Sequence, residues 1–240
     1  MPAVRINWVL LYYISGRKSF AGTEAQQRNA LLRRIAQAAR AGVDYIQLRE
    51  KDLSPRELER LAHEAVRAVR DNSTTAKLLI NSRADVALAC GADGVHLPAG
   101  ELAASEVREL WVQSSDQEPF IGVSGHNPAD ISCAEAQGAN FAVLAPIFEK
   151  VQTDAQGIGL DALREACLGP PLPNRSQAAP HGRFAVLALG GVTLANAAAC
   201  IEAGAAGVAG IRLFQQGDVS DTVHRLRVLG NRTGELASST

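Results

Sequence analysis

AGVDYIQL, residues 41–48, is the first of four related segments that decide the fold. The others are CGADGVHL at 90–97, QGANFAVL at 137–144 and AGAAGVAG at 203–210, which follow at intervals of 49, 47 and 66 residues. In each copy a glycine precedes a short variable stretch and then an apolar run. Glycine commonly follows the last residue of a helix, where the backbone needs a positive φ. Each copy therefore predicts a helix end, a tight turn and a buried strand, and the recurrence indicates a duplicated supersecondary unit.

Further apolar runs lie between these copies, at residues 8–14, 77–80, 120–123 and 184–189, and helical patterns alternate with them. Apolar residues recur at helical spacing over 24–41 and 54–70, and the second of these patterns opens with Ser54 as the predicted N-cap. Strands that are almost continuously apolar and alternate with helices indicate a parallel sheet covered on both faces. Eight such units in 240 residues predict a (β/α)8 TIM barrel. The alternative is an open doubly wound sheet, which is disfavoured because no G-x-G-x-x-G pattern follows the first strand.

The barrel is expected to form a single domain over residues 1–230. Residues 169–183 are rich in proline and glycine, and they predict a mobile surface insert between the sixth helix and the seventh strand. Residues 231–240 are expected to be a flexible C-terminal tail.

Composition excludes several classes of partner and points to the cytoplasm. The formal net charge is −1, so neither a nucleic acid nor an anionic membrane is expected as the main partner. The N-terminal apolar run, residues 8–14, is too short to span a bilayer, and no signal peptide is indicated. The four cysteines form no C-x-x-C pair, which favours reduced thiols in a cytoplasmic protein over a zinc site or a disulfide framework.

The candidate site is the end of the barrel formed by the carboxyl ends of the strands, where TIM-barrel enzymes have their active sites. If the second strand continues as extended backbone, Gln47, Arg49 and Lys51 point to the same side. Asn81 and Ser124 follow at the ends of the third and fifth strands. This group is polar or cationic and contains few carboxylates, so it suits an anionic substrate.

Glycines at the ends of the last two strands predict a phosphate site. Gly190 and Gly191 follow the seventh strand, and Gly210 with Ile211 closes the eighth. These loops frequently bind phosphate in this fold, because glycine lets backbone N–H groups approach an oxyanion closely. The alternative is that they form two ordinary tight turns.

His126, in the loop after the fifth strand, is the strongest candidate for proton chemistry, because imidazole both donates and accepts a proton near neutral pH. The alternative is a structural histidine that caps the next helix. For His96, at the end of the fourth strand, a packing role is at least as plausible. Asp85 and Asp93 are unconvincing metal ligands. Asp85 lies in the first turn of a helix, and Asp93 lies in the turn before the fourth strand, at the end of the barrel away from the candidate site.

Together these motifs resemble the thiamine phosphate synthase/TenI superfamily. The motifs occur in order from about residue 9 to residue 214, as LYYI, YIQLREKDLSPREL, LLINSRADVALACGADGVHLP, GVSGHN, the Pro-Ile-Phe turn and LALGGVT. The synthase branch joins a pyrimidine diphosphate to a thiazole phosphate with Mg²⁺, whereas the TenI branch includes a tautomerase that moves a proton on the thiazole phosphate. The resemblance implies that Gln47, Arg49 and Lys51 contact an anion, and that Asn81 and Ser124 match the family's asparagine after the third strand and serine after the fifth. It also implies that His126 is the histidine used by the tautomerases, and that the backbone at Gly191, Gly210 and Ile211 binds the phosphate.

Two departures from the synthase pattern favour the TenI branch. Ser82 occupies the place of an aspartate after Asn81, and Glu101 is the only acid in the turn after the fourth strand. In the synthase the two aspartates hold Mg²⁺, which binds carboxylates together with diphosphate oxygens.

The expected function is therefore a tautomerase with no cofactor, in which His126 moves the proton and Arg49 or Lys51 faces a carboxylate of the substrate. The expected partner is a small phosphorylated heterocycle, and a homodimer is left open. One alternative is a synthase, which alone would need Mg²⁺. The others are a non-catalytic protein that binds a thiazole or thiamine phosphate and, ranked last, another phosphate-sugar isomerase.

Overall fold

The computed structural model describes residues 9–149, 156–169 and 184–236, the last six of these as backbone only. Most of the insert expected at 169–183 therefore lies outside the described residues, as do 150–155 in the loop after the sixth strand. In the described part of the chain no helix is long and apolar enough to cross a membrane.

Eight parallel strands form a closed barrel in which each strand pairs with its neighbours in sequence and the eighth pairs with the first. The TIM-barrel prediction is thus confirmed, and the open sheet is excluded. The strands are β1 Leu10–Ile14, β2 Tyr45–Leu48, β3 Lys77–Asn81, β4 Gly94–Leu97, β5 Phe120–Gly125, β6 Phe141–Leu144, β7 Ala185–Ala188 and β8 Gly207–Gly210.

Helices cover the outside of the barrel, and a short extra helix follows β8. The helices are α1 Glu24–Ala41, α2 Pro55–Arg70, α3 Ala84–Cys90, α4 Ala104–Val112, α5 Pro128–Ala136, α6 Gly159–Leu168, α7 Ala197–Glu202, α8 Arg212–Gln215 and α9 Val219–Leu236. Ser54 caps α2 as predicted, because its hydroxyl accepts from Glu57 N while the Glu57 side chain accepts from Ser54 N. Helix α9 continues to Leu236 and so enters the segment 231–240 that was expected to be a tail.

The repeated segments form the turn from a helix into the next strand, at the amino-terminal end of the barrel. Gly42 and Gly91 end α1 and α3 with positive φ angles of 92° and 67°. The polar residue two positions after each glycine then binds the backbone of the preceding strand. Asp44 Oδ2 accepts from Leu11 N at 2.7 Å, and Asp93 Oδ2 accepts from Leu78 N at 2.8 Å. Asn140 does the same for β5, so these positions in the repeat fix strand ends and lie away from the predicted site.

The interior of the barrel changes from apolar to polar along its axis. An apolar cluster fills the interior from the amino-terminal end of the barrel to its middle. It includes Leu10, Tyr12, Leu79, Phe141, Val143, Leu187 and Ala209. Nearer the carboxyl ends of the strands, Gln47, Asn81, His96 and Ser124 replace these apolar residues. Because buried polar groups require hydrogen-bond partners, this change in polarity marks the mouth of the barrel as the place to look for a site.

Candidate active site at the mouth of the barrel

Gln47 and Asn81 form the polar floor of the mouth on the side of β2 and β3. Gln47 is 1% exposed, and its Nε2 lies 3.5 Å from Asn81 Oδ1. The Asn81 amide nitrogen donates to Ser82 Oγ at 2.8 Å. The two predicted amide side chains are therefore in contact.

Arg49 and Lys51 have different surroundings, although the sequence predicted that both side chains point to the same side of an extended second strand. Strand β2 ends at Leu48, so the alternation on which the prediction rests does not extend to Lys51, which is exposed in the following turn. Arg49 is half-buried, and its backbone N–H donates to Ser15 Oγ at 2.8 Å. The charge of Arg49 is close enough to His96 to lower the pKa of that imidazole, after the larger effect of burial.

A buried ionic cluster holds the turn that carries Lys51. Arg17 is 3% exposed, and its guanidinium binds Glu50 at 3.0 Å and both oxygens of Asp52 at 2.7 Å. Glu50 also accepts from Ser15 Oγ at 2.6 Å. Arg17 thus binds the residues on either side of Lys51, and its guanidinium is engaged by carboxylates.

His126 lies at the mouth, where one ring nitrogen is anchored and the other has no hydrogen-bond partner among the described residues. Its Nδ1 lies 2.9 Å from the carbonyl oxygen of Ala145. Since a carbonyl only accepts hydrogen bonds, Nδ1 carries the proton, and in the neutral ring Nε2 has an available lone pair. The side chain is exposed. The cap of α5 is Asn127, whose Oδ1 accepts from Asp130 N at 2.9 Å, so the side chain of His126 does not serve as that helix cap.

Ser124 and His96 continue the polar layer across β5 and β4. His96 Nε2 lies 2.8 Å from Ser124 Oγ, and His96 Nδ1 lies 3.0 Å from the hydroxyl of Tyr12. The imidazole is 3% exposed, in agreement with the packing role considered for it. Tyr12 was missed as a functional candidate, although the alternation of β1 that places Leu10 inside the barrel also places Tyr12 there.

The glycine turn after β7 has backbone N–H groups without a carbonyl partner in the part of the chain that the structure describes. Gly190 and Gly191 have φ angles of 91° and 67°. A Cβ on Gly190 would lie 2.6 Å from Pro146 Cα, and one on Gly191 would lie 2.7 Å from Phe148 Cβ. Only glycine fits this contact between the loop after β6 and the turn after β7. Within the described residues, the N–H groups of Gly190, Gly191 and Val192 donate to no carbonyl.

The turn after β8 is equally compact. A Cβ on Gly210 would lie 2.9 Å from Leu213 Cβ, and the side chain of Ile211 reaches toward Gly16 in the loop after β1. The loops after β8 and β1 are therefore close neighbours, and backbone N–H groups in glycine turns of this kind are typical of sites that bind phosphate oxygens.

The position that would bind Mg²⁺ in a synthase contains few oxygen ligands. Ser82 Oγ donates to Glu101 Oε1 at 3.3 Å, so this carboxylate lies beside Asn81. Asp85 is engaged by the guanidinium of Arg83, which lowers the pKa of Asp85. Across the described residues no group of three or more His, Cys, Asp or Glu side chains is arranged to hold a metal ion. Because Mg²⁺ binds through one or two carboxylates plus phosphate oxygens, Glu101 and Ser82 fit the ion only as a minimal site.

Comparison with known proteins identifies the family. The profile of the TMP-TENI family, described as thiamine monophosphate synthase, matches residues 11–214. A putative thiamine-phosphate synthase 2 of Aquifex aeolicus is 38% identical over 205 residues, which is 85% of this chain and 96% of the relative. A thiamine-phosphate synthase of Methanoculleus marisnigri is 38% identical over 195 residues, or 79% of this chain and 83% of the relative. The thiamine phosphate pyrophosphorylase of Pyrococcus furiosus superposes with a TM-score of 0.73 at 25% identity, over 95% of this chain and 98% of that one. The chain therefore belongs to the thiamine monophosphate synthase family, a family of thiamine-biosynthesis enzymes.

Proposed function

We propose that the chain is a thiazole phosphate tautomerase, which moves a proton on a thiazole phosphate that also carries a carboxylate. The observation that supports this proposal best is the anchoring of His126. The Ala145 carbonyl holds Nδ1–H at 2.9 Å, and an exposed Nε2 lone pair remains at the mouth. That arrangement suits a general base which accepts a proton from one position of the ring and returns it at another.

The proposed substrate binds by its two anionic ends. Its phosphate accepts hydrogen bonds from the free N–H groups of Gly190, Gly191 and the turn at Gly210 and Ile211. Its carboxylate faces Arg49, with Lys51 as a second cation at the edge of the mouth, since hydrogen bonds between charged groups are strong. Gln47, Asn81 and Ser124 then contact the heterocycle between these ends and hold it against His126.

The same residues lower the barrier without a bound cofactor in this scheme. Fixing both ends of the substrate turns proton transfer into a reaction within one complex, which is favourable because orientation is settled on binding. Arg49 and Lys51 stabilise negative charge that builds up near the carboxylate when the ring loses its proton.

A synthase is the second candidate, and two observations favour it. Relatives that are 38% identical are named thiamine-phosphate synthases, and Glu101 contacts Ser82 beside Asn81. Glu101 and Ser82 would hold Mg²⁺, which when bound neutralises a diphosphate leaving group. Formation of thiamine phosphate from a pyrimidine diphosphate and a thiazole phosphate, strictly dependent on Mg²⁺, would establish this candidate in place of the tautomerase.

The test of the proposed function is His126→Asn, with His63→Asn as the matched control. The amide nitrogen of asparagine takes the place of Nδ1 and can still donate to Ala145, but the variant has no base at the position of Nε2. We expect turnover of the thiazole phosphate to fall by about 10²–10⁴-fold, while the affinity for inorganic phosphate stays unchanged. His63 lies on α2 with its side chain 49% exposed, so His63→Asn should behave as the wild type. Unchanged turnover in His126→Asn would refute the role of His126, and binding without any turnover in the wild type would favour a non-catalytic protein.

A further inference from the structure

A chain of three polar side chains leads from the interior of the barrel to its mouth. The hydroxyl of Tyr12 lies 3.0 Å from His96 Nδ1, and His96 Nε2 lies 2.8 Å from Ser124 Oγ. Tyr12 and His96 are 0% and 3% exposed, respectively, whereas Ser124 is half-buried. The direction of these two hydrogen bonds decides what Ser124 offers to a ligand.

Packing inside the barrel holds the His96 imidazole between Tyr12 and Ser124. A Cβ on Gly122 would lie 2.9 Å from His96 Nδ1 and 2.3 Å from the Phe141 ring, so the glycine leaves the space that the two rings occupy. The Tyr12 ring packs edge-on against Phe141 with centroids 5.2 Å apart, and its centroid lies 5.6 Å from that of His96. The ring of His96 is therefore held on several sides, independently of any ligand.

Tyr12 can satisfy its hydroxyl in only one way. Among the described residues its hydroxyl has one hydrogen-bond partner, His96 Nδ1. If Nδ1 carried the imidazole proton, the buried O–H of Tyr12 would have no acceptor, and a buried donor without a partner is unfavourable. Burial raises the pKa of the phenol well above its ordinary value, which keeps this proton on the oxygen. Tyr12 therefore donates, and Nδ1 accepts.

The state of His96 then fixes the second hydrogen bond. Burial, with a smaller effect of the Arg49 charge, lowers the pKa of His96 to about 3, so the ring is neutral at physiological pH. A neutral imidazole has one donor nitrogen and one acceptor nitrogen. Since Nδ1 accepts from Tyr12, Nε2 carries the proton and donates to Ser124 Oγ. The proton of the Ser124 hydroxyl must consequently point away from His96.

We propose that Tyr12 and His96 hold Ser124 as a hydrogen-bond donor directed into the mouth, so that the site selects ligands with an acceptor atom at this position. A ring nitrogen lone pair or a carboxylate oxygen accepts this hydroxyl proton. An N–H or O–H group at the same position can use only the remaining lone pair of Oγ and leaves the hydroxyl proton without an acceptor. Ser124 is the specificity-determining contact, while Tyr12 and His96 are positioning residues. The nature of the ligand rests on the proposed function, whereas the direction of the hydrogen bonds is a property of the free protein.

The direct test is ¹⁵N NMR of the histidine side chains in the unliganded wild-type protein, with His96→Gln to assign the His96 signals. We expect the His96 ring to be neutral with the proton on Nε2, unchanged between pH 5 and pH 8 (roughly the range in which an ordinary histidine titrates). A proton on Nδ1 would overturn the proposal, because Ser124 would then donate to His96 and offer only an acceptor to the ligand. This result is independent of whether the protein is a tautomerase.

A pair of variants tests the consequence for binding. The amide nitrogen of His96→Gln can take the place of Nε2 and donate to Ser124, whereas the shorter side chain of His96→Asn reaches only the place of Nδ1. We expect the thiazole phosphate to bind His96→Gln within about threefold of the wild type, and His96→Asn about tenfold more weakly, like Ser124→Ala. Equal weakening in Gln and Asn variants that melt at similar temperatures would contradict the positioning role. If the thiazole phosphate does not bind the wild type, the proposed function fails, and the NMR result alone decides the inference.

Discussion

At the scale of single residues, His96 and His126 show how burial separates two imidazoles at the ends of adjacent strands. His96 is enclosed by Tyr12 and Phe141 and has both nitrogens engaged. His126 is exposed, with one nitrogen held by a carbonyl. The buried ring is suited to fixing the direction of a hydrogen bond, and the exposed ring to exchanging a proton with a substrate.

Acid titration should reveal the buried ring as a loss of stability. The pKa of His96 is about 3 in the folded protein against an ordinary value of 6.5, so between these values the unfolded chain binds one proton more than the folded chain. Stability therefore rises with pH in this window and is lost as the pH falls through it, by up to about 1.4 kcal/mol per pH unit. Urea unfolding from pH 6.5 to about 4.5 should show this extra slope in the wild type and not in His96→Gln. Parallel curves for the two proteins would show that His96 titrates normally.

Gly191 should be sensitive to a single added methyl group. Gly191→Ala introduces a Cβ that would lie 2.7 Å from Phe148 Cβ at a φ of 67°, so the turn must shift and its N–H groups lose their positions. We expect the affinity for inorganic phosphate to fall about tenfold or more, measured by calorimetry. The matched control is Gly91→Ala at the opposite end of the barrel. Gly91 also has a φ of 67°, but its nearest neighbour is the Arg70 guanidinium at 3.8 Å. Equal phosphate affinity in all three proteins would remove Gly191 from the site.

At the scale of elements, the loops after β1 and β2 are joined by the cluster around Arg17. Its guanidinium binds Glu24 at the start of α1, Glu50 and Asp52. Hydrogen bonds from Arg17 hold the pKa of Asp52 well below its usual range. The cluster therefore ties both ends of the turn that carries Lys51, at Glu50 and Asp52, to Arg17.

Asp52→Asn should loosen this turn without emptying the cluster, since Glu50 and Glu24 still neutralise Arg17. Asp52 is 39% exposed, and solvent screening limits the loss of stability to about 1 kcal/mol or less. If Lys51 contacts the substrate carboxylate, KM for the thiazole phosphate should rise several-fold while kcat changes less. Asp161→Asn is the control, because Asp161 pairs with Arg164 on α6 and is 99% exposed. An unchanged KM in Asp52→Asn would exclude this role for the turn.

Helices, strands and turns could be predicted from the sequence where a short stretch of residues alone determines the local structure. The glycines at 42 and 91, the cap at Ser54 and the apolar runs are such cases, and together they predict the barrel. The sequence does not reveal the engagement of Arg17 by three carboxylates or the partnership of Tyr12 with His96, because both depend on distances between separate loops and strands. Lys51 shows the limit most clearly, since alternation along β2 carries no information beyond Leu48.

At the scale of the whole molecule, closure of the barrel brings polar residues from distant parts of the sequence to one mouth. Gln47 contacts Asn81, His96 contacts Ser124, and the His126 anchor at Ala145 adjoins Pro146, which packs on Gly190. A net charge of −1 over the chain thus coexists with a mouth near which Arg49 is half-buried. Among the described residues, the nearby N–H groups of Gly190 and Gly191 donate to no carbonyl. This local polarity, rather than overall charge, supports an anionic substrate.

The most direct measurement is NMR of the reaction in D₂O with excess chelator, using the non-aromatic isomer of the thiazole carboxylate phosphate as substrate. A proton shuttle at His126 predicts conversion to the aromatic isomer, with solvent deuterium appearing in the substrate or product as protons exchange. We expect His126→Asn to lose both the conversion and the exchange. Failure of the wild type to convert the isomer, together with formation of thiamine phosphate once Mg²⁺ and a pyrimidine diphosphate are supplied, would contradict the account and identify a synthase.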